Sequence, residues 1–79
     1  MEVKERIINL LSDKLGYDKT EIKEEHNFVT DLGTDSLDMV EIIMGIEEEF
    51  GLKIDDNDIS EIKTVKDLIK KVEKMRLGH

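Results

Sequence analysis

Apolar side chains recur every three or four residues near the start of this 79-residue chain. The repeating positions are Val3, Ile7, Leu10 or Leu11, and Leu15. This spacing places them on one face of a helix, so it predicts an amphipathic helix over about residues 2–15. Gly16 follows directly and is a natural C-terminal stop for that helix.

Residues 16–35 show no sustained period and contain many turn-forming side chains. The pattern predicts a long loop, held to the core by a few apolar anchors. These anchors are expected to be Ile22, Phe28, Val29 and Leu32. A loop near 20 residues is uncommon in a compact domain and often has a functional role.

The clearest predicted helix begins at Asp35 or Ser36, either of which can cap it, and ends before Gly51. One apolar stripe along it is suited to the core: Met39, Ile42, Ile43, Ile46 and Phe50. A second apolar stripe is offset around the helix from the first and is interleaved with carboxylates. It consists of Leu37, Val40 and Met44. The apolar surface is therefore wider than burial of one face requires.

Two further elements complete the predicted fold. A short helical turn is expected around Asp56–Glu61, and Thr64 is expected to cap a last helix through about Met75. No segment has a convincing strand pattern. The sequence thus predicts an all-α fold, a four-helix bundle with a short third helix and a long loop between the first two helices, in one domain over residues 1–79.

The net charge and its distribution limit the classes of molecule that this chain is expected to bind. The net charge is −8, and residues 32–62 hold ten acidic residues against the single base Lys53. This segment repels phosphate backbones and anionic lipids, so we expect no nucleic-acid partner and instead proteins with basic patches. The alternative is an ordinary solvated acidic surface.

Cysteine is absent, so any thiol chemistry must come from a cofactor. No apolar run approaches the ~18 residues of a membrane span. The N-terminus also lacks the apolar segment of a signal peptide. We therefore expect a cytoplasmic monomer with no membrane span.

Ser36 is the main candidate for chemistry. A helix start presents free amides and tolerates a phosphate, although an ordinary capping serine fits the same position. A serine hydrolase is disfavoured, because only His26 and His79 could act as base and no G-x-S-x-G motif occurs. A calcium loop starting at Asp56 would lack its glycine and its last glutamate, so we expect no dedicated metal site.

Residues 31–41, Asp-Leu-Gly-Thr-Asp-Ser-Leu-Asp-Met-Val-Glu, resemble the phosphopantetheine attachment motif of acyl carrier proteins. The resemblance covers nearly the whole chain. It implies a non-catalytic carrier, to which a phosphopantetheinyl transferase joins 4′-phosphopantetheine from coenzyme A at Ser36. The arm's thiol would then hold acyl groups as thioesters and deliver them to fatty acid synthesis enzymes with basic docking patches.

The resemblance also implies that the second helix is the surface that partners recognise. The matching docking positions are Asp35, Leu37, Asp38, Val40, Glu41, Met44, Glu47 and Glu48. Burial under the long loop or under another helix is the alternative for the apolar members, and it could hold in part for Val40.

Two departures from the family pattern lie near the third helix. Asp55 stands where proline is usual, and Ile59 stands where alanine is frequent. They leave open a specialised carrier for a polyketide, lipid A or another pathway. An unmodified acidic adaptor is a more remote alternative.

Overall fold

The computed structural model describes residues 2–77 and shows a small bundle of α-helices. The helices are α1 (Val3–Leu15), α2 (Ser36–Phe50), α3 (Asp56–Glu61) and α4 (Val65–Leu77). The loop between α1 and α2 contains one 3₁₀ turn, Lys19–Glu21, which the sequence pattern did not predict. The only strand-like pairing in the described part of the chain is an isolated bridge between Asn27 and Thr64. The predicted all-α bundle with a short third helix is confirmed.

The ends of α1 and α2 have clear local causes. Gly16 and Gly51 adopt left-handed backbone angles, with φ of 78° and 65°, and so end the two helices. At the start of α2, Asp35 Oδ1 accepts the N–H of Asp38 (2.9 Å) and Asp38 Oδ2 accepts the N–H of Asp35 (3.2 Å). Asp35 is therefore the capping residue, and Ser36 is the first residue of the helix.

The core lies between α1, α2, α4 and the long loop. Its fully buried side chains include Ile7 of α1, Ile42 of α2 and Leu68 of α4. Phe28, the largest side chain in that group, enters the core from the loop. The helices are also joined at the surface, where Arg6 binds the carboxylate of Glu49 at 2.8 Å.

Three of the four predicted loop anchors are confirmed, since Ile22, Phe28 and Leu32 are buried. The prediction for Val29 is wrong, because its side chain is 62% exposed. The cause is a turn in which Asn27 Oδ1 accepts the N–H groups of Val29 (2.9 Å) and Thr30 (3.1 Å). This turn directs Phe28 inward and leaves Val29 in solvent.

The long loop is fixed to the junction between α3 and α4 by backbone hydrogen bonds. Phe28 N–H donates to Lys63 O (3.0 Å), and Val65 N–H donates to His26 O (3.1 Å). A further bond joins Lys66 N–H to Glu24 O at 2.9 Å. The loop that leads to α2 is thus held in place by residues 63–66, which are far from it in sequence.

The start of α4 agrees with the prediction for Thr64. Thr64 Oγ1 accepts the N–H of Asp67, and Asp67 Oδ2 accepts the N–H of Thr64, each at 3.1 Å. This reciprocal pair satisfies two backbone donors at the helix start. The helix continues to Leu77, slightly beyond the predicted end.

Candidate attachment site and docking surface

Ser36 lies in solvent at the first position of α2. Within residues 2–77 its hydroxyl has no hydrogen-bond partner, and the N–H groups of Ser36 and Leu37 are also unpaired. A helix start of this kind presents partial positive charge and free donors. These features fit a phosphate ester on Ser36 Oγ, with the free amides close to the added negative charge.

The segment before Ser36 is held by a buried threonine. Thr34 is 4% exposed, and both its hydroxyl (2.8 Å) and its N–H (2.9 Å) donate to Phe28 O. Gly33 precedes it with φ of 68°, an angle that favours glycine. The position of Ser36 is therefore tied to the core through Thr34 and Phe28.

The sequence pattern did not indicate this role of Thr34. A threonine between a glycine and a helix cap is common and carries no signal of burial. Its partner lies six residues earlier and is a backbone oxygen, which has no side-chain signature.

The second apolar stripe of α2 is exposed. Leu37 is 74% exposed, Val40 54% and Met44 55%. The alternative of burial beneath the loop is therefore excluded for Leu37 and Met44, and Val40 is only partly covered. An exposed apolar strip on one helix face is suited to contact with a partner protein.

The carboxylates along α2 do not all have the same freedom. Glu41 and Glu48 are exposed and form no ion pair with the described residues. By contrast, Glu47 Oε2 accepts the N–H of Ile54 at 2.8 Å, so it also holds the α2–α3 connection. Asp35 and Asp38 are engaged in the helix cap. All eight predicted docking residues lie on α2 or at its start, and Glu41 and Glu48 are the carboxylates with no internal role.

His26 has a local role in the loop. Its Nδ1 accepts the N–H of Lys23 at 3.1 Å, which closes a turn, and no hydrogen bond joins His26 to Ser36. The other histidine, His79, lies outside the described residues. In the part of the chain that the structure covers, no three His, Cys, Asp or Glu residues form a group able to hold a metal ion. None of the helices described is both long enough and apolar enough to cross a membrane.

Comparison with known proteins indicates which protein family this chain resembles. A family model described as a phosphopantetheine attachment site matches residues 5–72. The chain is 43% identical over 77 residues to an acyl carrier protein of Thermotoga maritima, covering 98% of this chain and 94% of the relative. It is 51% identical over 69 residues to an acyl carrier protein of Nitratidesulfovibrio vulgaris, covering 87% and 91%.

A solved structure from Mycobacterium tuberculosis, described as an acyl carrier protein, has the same fold. The two chains superpose with a TM-score of 0.87 at 33% identity, over 92% of this chain and 97% of the other. The two chains therefore share the same helix arrangement.

Proposed function

We propose, from the premise that this chain belongs to the acyl carrier proteins and contains their phosphopantetheine attachment site, that Ser36 is the residue that receives the arm. One observation carries this proposal. Ser36 is exposed at the first position of α2, inside the matched region, and its Oγ makes no hydrogen bond to any residue that the structure describes. The other two serines differ, because Ser12 and Ser60 hydroxyls donate to backbone oxygens of Tyr17 and Asn57.

The modification forms a bond between Ser36 Oγ and the phosphorus of the pantetheine phosphate of coenzyme A. The bond from that phosphorus to the adenosine half of coenzyme A breaks, and Ser36 Oγ loses its proton. His26 is held in a different turn, so the proton passes to a base of the transferase. The N–H groups of Ser36 and Leu37 lie where they can offset the negative charge of the ester.

The attached arm supplies a thiol, which this cysteine-free chain does not contain. Acyl groups are held on that thiol as thioesters, and we assign no catalytic step to the chain itself. Partner enzymes bind α2 through two kinds of contact. Leu37 and Met44 provide apolar area, while Glu41 and Glu48 attract a basic patch.

We further propose that the chain is one acyl carrier domain over residues 1–79, acting as a cytoplasmic monomer in fatty acid synthesis. The acidic docking helix supports that pathway. A specialised carrier is the second candidate. Asp55 leaves the start of α3 without a side-chain cap, and the half-buried Ile59 packs against the core, both at positions that depart from the family pattern.

The attachment is tested by incubating the chain with coenzyme A and a phosphopantetheinyl transferase and measuring intact mass. We expect the wild type and the control Ser60→Ala to gain one phosphopantetheine, and Ser36→Ala to gain none. No gain in the wild type, or an equal gain in Ser36→Ala, contradicts the proposal.

The pathway is tested by isolating the carrier from its native cells and identifying the bound acyl groups by mass spectrometry. A series of straight chains differing by two carbons supports fatty acid synthesis. A single unusual acyl group supports a specialised pathway instead.

A further inference from the structure

Val29 is an apolar side chain held in solvent by a well-defined turn. Asn27 Oδ1 accepts the N–H groups of Val29 and Thr30, and Asp31 Oδ2 accepts the N–H of Asn27 at 2.7 Å. The adjacent Phe28 is buried, which fixes the direction of the chain. The exposure of Val29 is therefore imposed by its neighbours. A single exposed apolar residue is ordinary on a protein surface, so exposure alone does not indicate a function for Val29. Its position relative to Ser36 has to be considered as well.

A hydrogen bond limits how far Val29 can lie from Ser36, which comes seven positions later in the sequence. The hydroxyl and N–H of Thr34 both bind Phe28 O, the carbonyl that directly precedes Val29. With 3.8 Å between successive Cα atoms, this bond limits the Val29–Ser36 Cα separation to about 15 Å. A typical protein interface buries about 800 Å² on each partner, a patch about 30 Å across. A partner centred on Ser36 can thus cover Val29.

Partners of an acyl carrier protein fall into two geometric classes. Enzymes that process the acyl group act on the thiol at the far end of the arm, so they need only a docking surface such as α2. The transferase must instead bring its reacting atoms to Ser36 Oγ itself. Its surface must therefore approach the start of α2, and the turn that presents Val29 lies within about 15 Å of it.

We propose, on the basis of the function proposed above, that Val29 is a contact residue for the phosphopantetheinyl transferase and not for enzymes that act on the thiol. Val29 is exposed, as Leu37, Val40 and Met44 are, but it lies on the loop before Ser36 whereas those residues follow Ser36 on α2. An apolar pocket on the transferase takes the valine, and burial of such a side chain changes affinity by about ten-fold.

The test compares two exposed valines. Val29→Thr replaces a methyl with a hydroxyl at the turn, and Val40→Thr makes the same change on α2. Initial rates of phosphopantetheine transfer are measured by intact mass over a range of carrier concentrations. We expect Val29→Thr to raise KM about five- to ten-fold with little change in kcat, and Val29→Ile to restore the wild-type value.

The second readout uses the modified carriers, prepared with excess transferase. An enzyme that loads fatty acid onto the thiol is then assayed on each. We expect the Val29→Thr carrier to be loaded with the wild-type KM, whereas Val40→Thr raises KM in both assays. Melting temperatures of both variants are expected to match the wild type, since both side chains are largely exposed.

Three results overturn the inference: an unchanged transferase KM for Val29→Thr, an equal rise in the loading assay, or a fall in melting temperature that accounts for the loss. These outcomes are distinct from failure of the proposed function. If Ser36 is not modified in the wild type, the attachment proposal fails. If Val29→Thr is modified as readily as the wild type, only the role of Val29 fails.

Discussion

The segments on either side of α2 are held by different kinds of contact. Before α2, residues 22–35 place Phe28 in the core and make three backbone hydrogen bonds to residues 63–66. After α2, Ile54 and Ile62 are buried on either side of the short helix α3, but α3 itself has no buried residue, and Asp55 at its N-cap makes no side-chain cap. Its side chains are joined to α4 by Lys71, which lies 3.1 Å from Asp58 and 3.6 Å from Glu61.

This difference places Ser36 at the end of the firmly held segment. Exposed ion pairs contribute at most about 1 kcal/mol, whereas a buried aromatic residue contributes several times more. The backbone that leads to Ser36 is therefore tied to the core through Phe28 and Thr34. Helix α3 has no buried side chain of its own, so its residues are expected to contribute less to stability than Phe28 does.

The largest expected contrast is between two core truncations. We expect Phe28→Ala to lower the free energy of unfolding by about 3–5 kcal/mol, because it removes a fully buried ring from the loop. We expect Ile59→Ala to lower it by about 1 kcal/mol, because Ile59 in α3 is only partly buried. Chemical denaturation of the unmodified proteins measures both values.

If Phe28→Ala does not fold, a milder variant can take its place in this comparison. Phe28→Leu keeps most of the apolar volume and is expected to lose about 1–2 kcal/mol. The contrast between the two segments is wrong if Ile59→Ala is as damaging as Phe28→Ala, or more damaging than Phe28→Leu.

The next effect concerns the entrance to α3. Asp55 has φ of −71° and ψ of 151°, angles that proline adopts without strain, and its N–H donates no hydrogen bond within the part of the chain that the structure covers. Asp55→Pro is therefore expected to raise stability by about 0.4–1 kcal/mol, by restricting the unfolded chain. The midpoint of thermal unfolding measures the gain.

Asp55→Ala is the matched control and is expected to change little, because the aspartate side chain caps nothing. A lower melting temperature for Asp55→Pro would mean that the residue before it cannot accept the proline. Chain entropy at this position would then not limit the stability of α3.

The same contrast explains which features the sequence revealed. Helices α1 and α2 have strong apolar periods and were predicted almost to the residue. The exposed strip of Leu37 and Met44 was also predicted, because the helix carries more apolar surface than one core face needs. Asp35 and Ser36 could both cap α2, and only the geometry of Asp35 with Asp38 distinguishes them.

The firmly held loop was the part least open to prediction. Its period is irregular, so nothing in the order of residues separates the buried Phe28 from the exposed Val29. The hydrogen bonds between residues 24–28 and 63–66 join backbone atoms far apart in sequence, and these leave no side-chain pattern. The burial of Thr34 follows from the same contacts and was missed for the same reason.

The smallest expected effect concerns Asp67, which holds the backbone of the residues that anchor that loop. Its Oδ2 accepts the N–H groups of Lys63 and Thr64, each at 3.1 Å. Burial acts to raise the pKa of Asp67, but these hydrogen bonds, a bond with the Thr64 side chain and the charge of Lys70 together hold it below 3.8. A lowered pKa means that the ionised form stabilises the fold above the unfolded pKa. This stabilisation is lost as pH falls through the folded value.

We therefore expect Asp67→Asn to lower the free energy of unfolding by about 0.5 kcal/mol at neutral pH, the usual effect of an anion at a helix start. The difference from wild type should shrink below pH 3.8, the ordinary pKa of the group, and vanish once the wild-type carboxylate is protonated. Glu73→Gln on the exposed side of α4 is the control and should show little difference at either pH. If the Asp67→Asn difference persists in acid, hydrogen-bond geometry and not charge holds this junction. The firm attachment of the loop would then be independent of pH.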